Sequence, residues 1–279
     1  IVLRVRPRRL ARAYARVWTP AGSPLMLVSR AQAQGLADRL GPGFAVELGM
    51  RYGEPALAGA LDRLARAGCR TLVVLPLFPQ YAGATTASVF DAVAAWAGGR
   101  RDLPSYVFVR GFATHPAYVD ALAATIREQG IAPRPHAPLL FSFHGLPRRH
   151  ADEGDPYPHE CEATARAVAE ALSLEPGTWR VVYQSRFGRE PWLEPRLDAT
   201  LRALPSQGVR EVAVLTPSFV TDCLETVDEV GRQGRRLFEE AGGRAFVRVP
   251  CLNEHPRFLA ALEAVVRAHV PPALESCTA

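Results

Sequence analysis

Short apolar runs rich in Val, Leu and Phe alternate along the chain with longer stretches whose apolar residues recur every three or four positions. The runs 44–50 (FAVELGM), 71–77 (TLVVLPL) and 105–111 (SYVFVRG) predict strands. Between and after them, amphipathic stretches at 55–67, 84–97 and 115–129 predict helices. A proline-rich segment, 131–138 (IAPRPHAP), reads as a linker. Beyond it, strands are predicted at 139–143 (LLFSF), 180–184 (RVVYQ), 210–216 (REVAVLT) and 245–249 (AFVRV), with helices near 159–172, 193–204 and 222–241. Strands that are apolar on both faces and separated by helices form parallel sheets covered by helices on each side. The expectation is an α/β protein of two domains, 1–131 and 132–279, the last helix packing back on the first domain.

The halves echo each other. TLVVLPLFPQYAGATTASVFDAV and REVAVLTPSFVTDCLETVDEV each run strand, proline, aromatic, polar loop, helix. Four strands are predicted in the second half and three in the first. The chain opens on Ile1 rather than Met. Together these predict a first half that lacks its opening strand, with a sheet edge left unpartnered and activity impaired as a result.

Composition narrows the chemistry. The 33 basic side chains are all arginine, so no lysine is present for a Walker phosphate loop or a pyridoxal Schiff base. The formal charge of +5 is spread among acids, which suits acidic ligands and gives no basic stripe for nucleic acid. Five cysteines stand far apart with no C-x-x-C pair, as in a reduced, cytoplasmic protein. No apolar run reaches the ~18 residues of a membrane span. The basic start, IVLRVRPRRLARAYARVW, lacks a signal peptide's apolar core and cleavage site.

In open parallel sheets, ligands bind outside the carboxyl ends of the strands. That rule gathers His144, Ser185, the loop of Trp192, Asp222 and the 77–88 loop on one rim. His144 ends a strand buried on both faces, where it either caps a turn or offers an imidazole, the side chain that changes protonation near neutral pH. In TDCLETVDEVGRQGRR (221–236), a helix would put Asp222, Glu225 and Glu229 within roughly a 60° arc. One reading makes Asp222 a cap and Glu225 its capping-box partner, with Arg232 and Arg236 paired to Glu229. The other makes the three acids a track for a divalent cation or for protons. No pair of Cys or His has zinc-ligand spacing, no G-x-S-x-G elbow is present, and no G-x-G-x-x-G follows a strand. Trp18, Phe78, Tyr81, Phe143, Tyr183, Phe187 and Trp192 are core residues by default. Trp192 is the exception, because its loop, QSRFGREPWLEP, is polar and suits the wall of a flat apolar ligand.

FSFHGLPRRHADEGDPYPHEC (141–161), QSRFGREPWLEP (184–195), PSFVTDCLET (217–226) and PCLNEHP (250–256) resemble the successive motifs of the ferrochelatase family, most of all its proteobacterial form. AYARVWTPAGSPLM (13–26), GMRYGEP (49–55) and LPLFPQYAGATTAS (75–88) extend the likeness through the first half. The resemblance implies two similar Rossmann-like domains, each a parallel four-stranded sheet flanked by helices, the first strand of domain 1 missing. It implies insertion of ferrous iron into protoporphyrin IX to form protohaem. His144 matches the family's essential histidine and Glu225 its essential acid across the ring, with Asp222 and Glu229 as neighbouring acids on the metal's route. Arg51, Tyr52, Tyr81 and Trp192 fall at porphyrin-pocket positions and Ser185 at a propionate contact. Iron is then a substrate, no cofactor is held permanently, and with only Cys277 in the tail no iron-sulfur cluster is expected. The implied partners are protoporphyrin and ferrous iron, no nucleic acid is implied, and peripheral membrane association is compatible. A chelatase loading cobalt or nickel into another tetrapyrrole, or a non-catalytic porphyrin- or haem-binding protein, are the rival readings.

Overall fold

The computed structural model describes residues 11 and 13–270. Its first half runs α1 (Pro24–Leu40), α2 (Leu57–Arg66), β1 (Thr71–Val74), a π-helical turn (Gly83–Ala87), α3 (Ser88–Gly98), β2 (Ser105–Phe108) and α4 (Pro116–Glu128). The second half runs β3 (Leu139–His144), α5 (Arg148–Asp152), α6 (Tyr157–Ala171), β4 (Trp179–Gln184), α7 (Leu197–Ala203), a 3₁₀ turn (Leu204–Gln207), β5 (Glu211–Leu215), a π-helix (Glu225–Gly234), α8 (Arg235–Glu240), β6 (Ala245–Arg248) and α9 (Pro256–His269). Both sheets are parallel, β1-β2 in the first half and β4-β3-β5-β6 in the second.

The second sheet sets the site. Leu139, Leu140, Phe141, Ser142 and Phe143 are wholly buried, as the unbroken apolar run requires. Alternation sends Phe141 and Phe143 to one face, into a core with Tyr118, Val168 and Phe258. Leu140 goes to the other, with Val230 and Phe238. His144 shares the parity of Leu140, so it projects from the face that the Glu225–Gly234 helix covers through Val230. Pairing of β3 with β5 ends at Phe141, whereas pairing with β4 runs on to His144 and Gln184. The last residues of β3 therefore stand proud of β5 and open one side of His144 to the rim.

Two expectations need correction. The segment 44–50 joins no ladder, its one β-bridge being Met50–Ala56, so among the described residues the first-half sheet has two strands instead of three. Among the described residues no strand lies beside 44–50 to pair with it. Residues 222–241 also depart from one regular α-helix, because ten of them wind as a π-helix. Such helices seldom exceed one turn and are common at functional sites.

One long helix had escaped the periodicity. α1 carries its signal at its ends: Ser23 Oγ accepts from the Met26 amide at 3.2 Å, Pro24 opens it, and Gly41 closes it at φ +83°. α9 packs on α1 and α4, tied by Arg39–Glu263 at 2.9 Å and Arg257–Asp120 at 2.6 Å. No helix among the described residues is long and apolar enough to cross a membrane.

Candidate active site

The loop after β3 is laced to the loop after β4. Arg148 N–H donates to Pro191 O and Leu193 N–H to Leu146 O, both at 2.9 Å, which sets Trp192 against Gly145. A Cβ at Gly145 would lie 3.1 Å from the indole and 3.0 Å from the Gln184 carbonyl, so a side chain here would push the two loops apart by a few tenths of an ångström. His144, half-buried, stands in an aromatic ring: Phe187 stacks at 6.4 Å and 25°, Trp192 lies at 6.5 Å and Phe219 at 6.3 Å. Phe187 is 54% exposed, so its default assignment to the core is overturned. It lies in the loop after β4, with its ring beside the imidazole.

The tautomer of His144 follows from its partner. Nδ1 sits 2.7 Å from the Gly145 carbonyl, which can only accept, so Nδ1 carries a hydrogen and, in the neutral imidazole, Nε2 holds the lone pair. A neutral imidazole of this kind can take a proton or bind a borderline metal ion.

Glu229 reaches this group from the π-helix. Ser185, the first residue beyond β4, adopts φ +60° and donates both its amide, at 2.9 Å, and its hydroxyl, at 2.7 Å, to the two Glu229 oxygens. Burial pushes the Glu229 carboxyl above its ordinary value. The two bonds from Ser185 and the proximity of His144 pull it back, while the Glu225 charge adds to the rise. Glu229 thus lies within electrostatic reach of both His144 and Glu225. Ser185, expected at a propionate, spends its hydrogen on this acid.

Glu225 is not the capping-box member. The return bond belongs to Thr226, whose Oγ1 accepts from the Cys223 amide at 3.0 Å. Glu225 instead accepts from the Cys223 thiol; burial first, then this carboxylate, push the thiol up to about 12. Burial and the same carboxylate also raise the phenol of Tyr14, which reaches the acid from the segment before α1.

Asp222 is likewise no free acid and no simple cap. Its oxygens accept from Arg248 at 2.6 Å, Thr226 at 2.9 Å and Asn253 at 3.0 Å. Burial alone would raise its carboxyl, but Arg248 and these bonds outweigh it and hold the group below the ordinary carboxylate value. Arg232 pairs with Asp228, not Glu229, and Arg236 with Glu240. His144, Asp222, Glu225 and Glu229 do not form one coordination shell: among the described residues no group of three or more His, Cys, Asp and Glu side chains could hold a metal ion. Cys277 lies outside the described residues.

The remaining candidate positions lie in the first half. Arg51 donates to the carbonyl and hydroxyl of Ser88 at 2.8 Å and lies over the Tyr52 ring, itself 74% exposed. Arg110 covers Tyr81, whose amide donates to Glu160 at 2.7 Å. Glu160 belongs to α6, so the Tyr81 loop is fastened to the second half. Tyr14, Phe219 and buried Gln32, which donates to the Val220 and Asn253 carbonyls, join the site without a spacing signal of their own. Tyr14 lies in the motif AYARVW, and Gln32 on α1, whose only sequence signal is its caps.

A family model described as ferrochelatase matches residues 1–270. Ferrochelatase from Yersinia enterocolitica serotype O:8 is 46% identical over 270 residues, 97% of this chain and 84% of that protein. Those from Pectobacterium atrosepticum and Alcanivorax borkumensis are each 46% identical, over 95% of this chain and 83% and 79% of theirs. Among solved structures, SirB from Bacillus subtilis with Fe3+ superposes with a TM-score of 0.64 at 12% identity, over 91% of this chain and 94% of that one. The sirohydrochlorin chelatase SirB from Bacillus subtilis subspecies spizizenii in complex with cobalt gives 0.61 at 14%, over 89% and 91%. At these identities the two structures speak to the fold.

Proposed function

The chain belongs to the ferrochelatase family, and from that membership and the site's geometry we propose how it inserts ferrous iron into protoporphyrin to make haem. Ring insertion releases two N–H protons and needs the nitrogen lone pairs turned toward the metal. The porphyrin lies flat between the first-half wall of Arg51, Tyr52 and Tyr81 and the aromatic ring of Phe187, Trp192 and Phe219. His144 Nε2, left free by the Nδ1 bond to Gly145, is the group that meets the ring's centre and takes its proton. Glu229, raised by burial, passes that proton on toward solvent, and Glu225 accepts the second of the two ring protons. Contact with these walls bends the macrocycle, using binding energy to expose the lone pairs.

The observation that supports these roles is the His144 imidazole held through Nδ1 by Gly145 and surrounded by Phe187, Trp192 and Phe219, with Glu229 in electrostatic reach. The test is anaerobic insertion of ferrous iron into protoporphyrin IX, run beside a tetrapyrrole with eight carboxylates. We expect turnover of the two-propionate ring and little of the other. Preferential metal loading of the eight-carboxylate ring, or binding of porphyrin without iron uptake, would overturn the reading.

A further inference from the structure

We infer that Arg248, on the edge strand β6, is a positioning residue for metal insertion, which rests on the reading of Glu225 and Glu229 as the acids of the site. A π-helix of ten residues is rarely stable by itself, so its neighbours must hold it. Arg248 touches it on both sides of the two acids. Before them, Arg248 Nη1 donates to Asp222 Oδ1 at 2.6 Å, and the same oxygen receives the Thr226 hydroxyl at 2.9 Å. Asn253 fixes the other oxygen at 3.0 Å and accepts from the Asp222 amide at 2.8 Å. Glu225 adjoins Thr226, so its backbone is set by this hub. After them, the Arg248 stem lies against Gly231, where an added Cβ would come within 3.0 Å of Cδ and 3.4 Å of Nε. Glu229 is two residues away.

The strand gives this grip its rigidity. β6 is hydrogen-bonded to β5 from Ala245 to Arg248, and only 22% of the Arg248 side chain is exposed. Without the guanidinium, Asp222 stays buried with no cation beside it and must move toward water, drawing the first turn with it. Displacement of about 1 Å at reacting groups can cost ~10² in rate. A cavity of about 490 Å³ lined by Arg248, Gly231 and Phe246 lies beside the Arg248 side chain, with room for a guanidinium ion.

The test uses the full chain with Arg248→Ala and Arg248→Lys. For the alanine variant we expect kcat to fall ~10- to 100-fold with KM for porphyrin within about threefold. Guanidinium chloride at millimolar levels should restore several-fold of that loss, sodium chloride at equal ionic strength should not, and lysine should recover part. An unchanged kcat would sink the inference, as would a loss that neither lysine nor guanidinium relieves and that follows the fall in thermal midpoint. Should the alanine variant not fold, the lysine variant decides: a reduced kcat at an unchanged midpoint supports the role, and wild-type kcat rejects it. Inactive wild-type protein would instead bring down the functional reading itself.

Discussion

Gly145 does two things for His144. Its carbonyl fixes the proton on Nδ1, and its missing side chain lets Trp192 close over the imidazole. Ser185 does something parallel for Glu229, trading a backbone at φ +60° for two bonds to one carboxylate. Glu225 has a looser setting: it accepts from the Cys223 thiol, and its charge is felt at the Tyr14 phenol. Glu225→Gln should therefore lower iron insertion by ~10² or more, the usual loss for a placed acid or base. Its thermal midpoint should hold or rise slightly, since the repulsion from Glu229 is relieved and no capping box is broken. Unchanged turnover in a variant of wild-type stability would remove Glu225 from the chemistry.

The acidic helix is where sequence and structure part most instructively. Its acids and their shared face were legible, because they depend only on spacing. The π winding was not, because it arises from partners far along the chain. Asp228, 2% exposed, accepts from Arg16 at 3.0 Å, Arg232 at 2.6 Å and Gln233 at 2.7 Å, the last reaching back five residues. No periodicity shows Arg16 or Arg248 arriving. Burial alone would raise the Asp228 carboxyl, but these bonds outweigh it and hold it well below the ordinary value. A depressed carboxylate stabilises the fold above the unfolded value of ~3.9, and that contribution vanishes as pH falls through the lowered folded value. Asp228→Asn should cost about 2 kcal/mol near neutral pH, a loss of ~5 °C in midpoint for a chain of this size. The gap from wild type should narrow in strong acid, where both side chains are neutral. A gap that persists undiminished there would show that shape, not charge, holds the helix.

The two halves repeat one device. Each follows its sheet strand, β1 or β5, with a loop and then a π segment, Gly83–Ala87 or Glu225–Gly234. The alternation of apolar runs foretold the α/β class and six strands, because buried parallel strands must be apolar throughout. It over-read 44–50, since an apolar run becomes a strand only when another is there to pair with it. The chain is shorter than its relatives, spanning 79–84% of their length. The proposed reaction draws on both halves, on Arg51, Tyr52 and Tyr81 from the first and on His144, Glu225 and Glu229 from the second. Iron insertion and porphyrin affinity measured on one preparation of His144→Ala put that arrangement to the test. The predicted result is porphyrin binding within about threefold of wild type and insertion lowered ~10² or more, because a proton acceptor is removed while the walls remain. Insertion near the wild-type rate would contradict it and leave His144 as the residue that closes a turn.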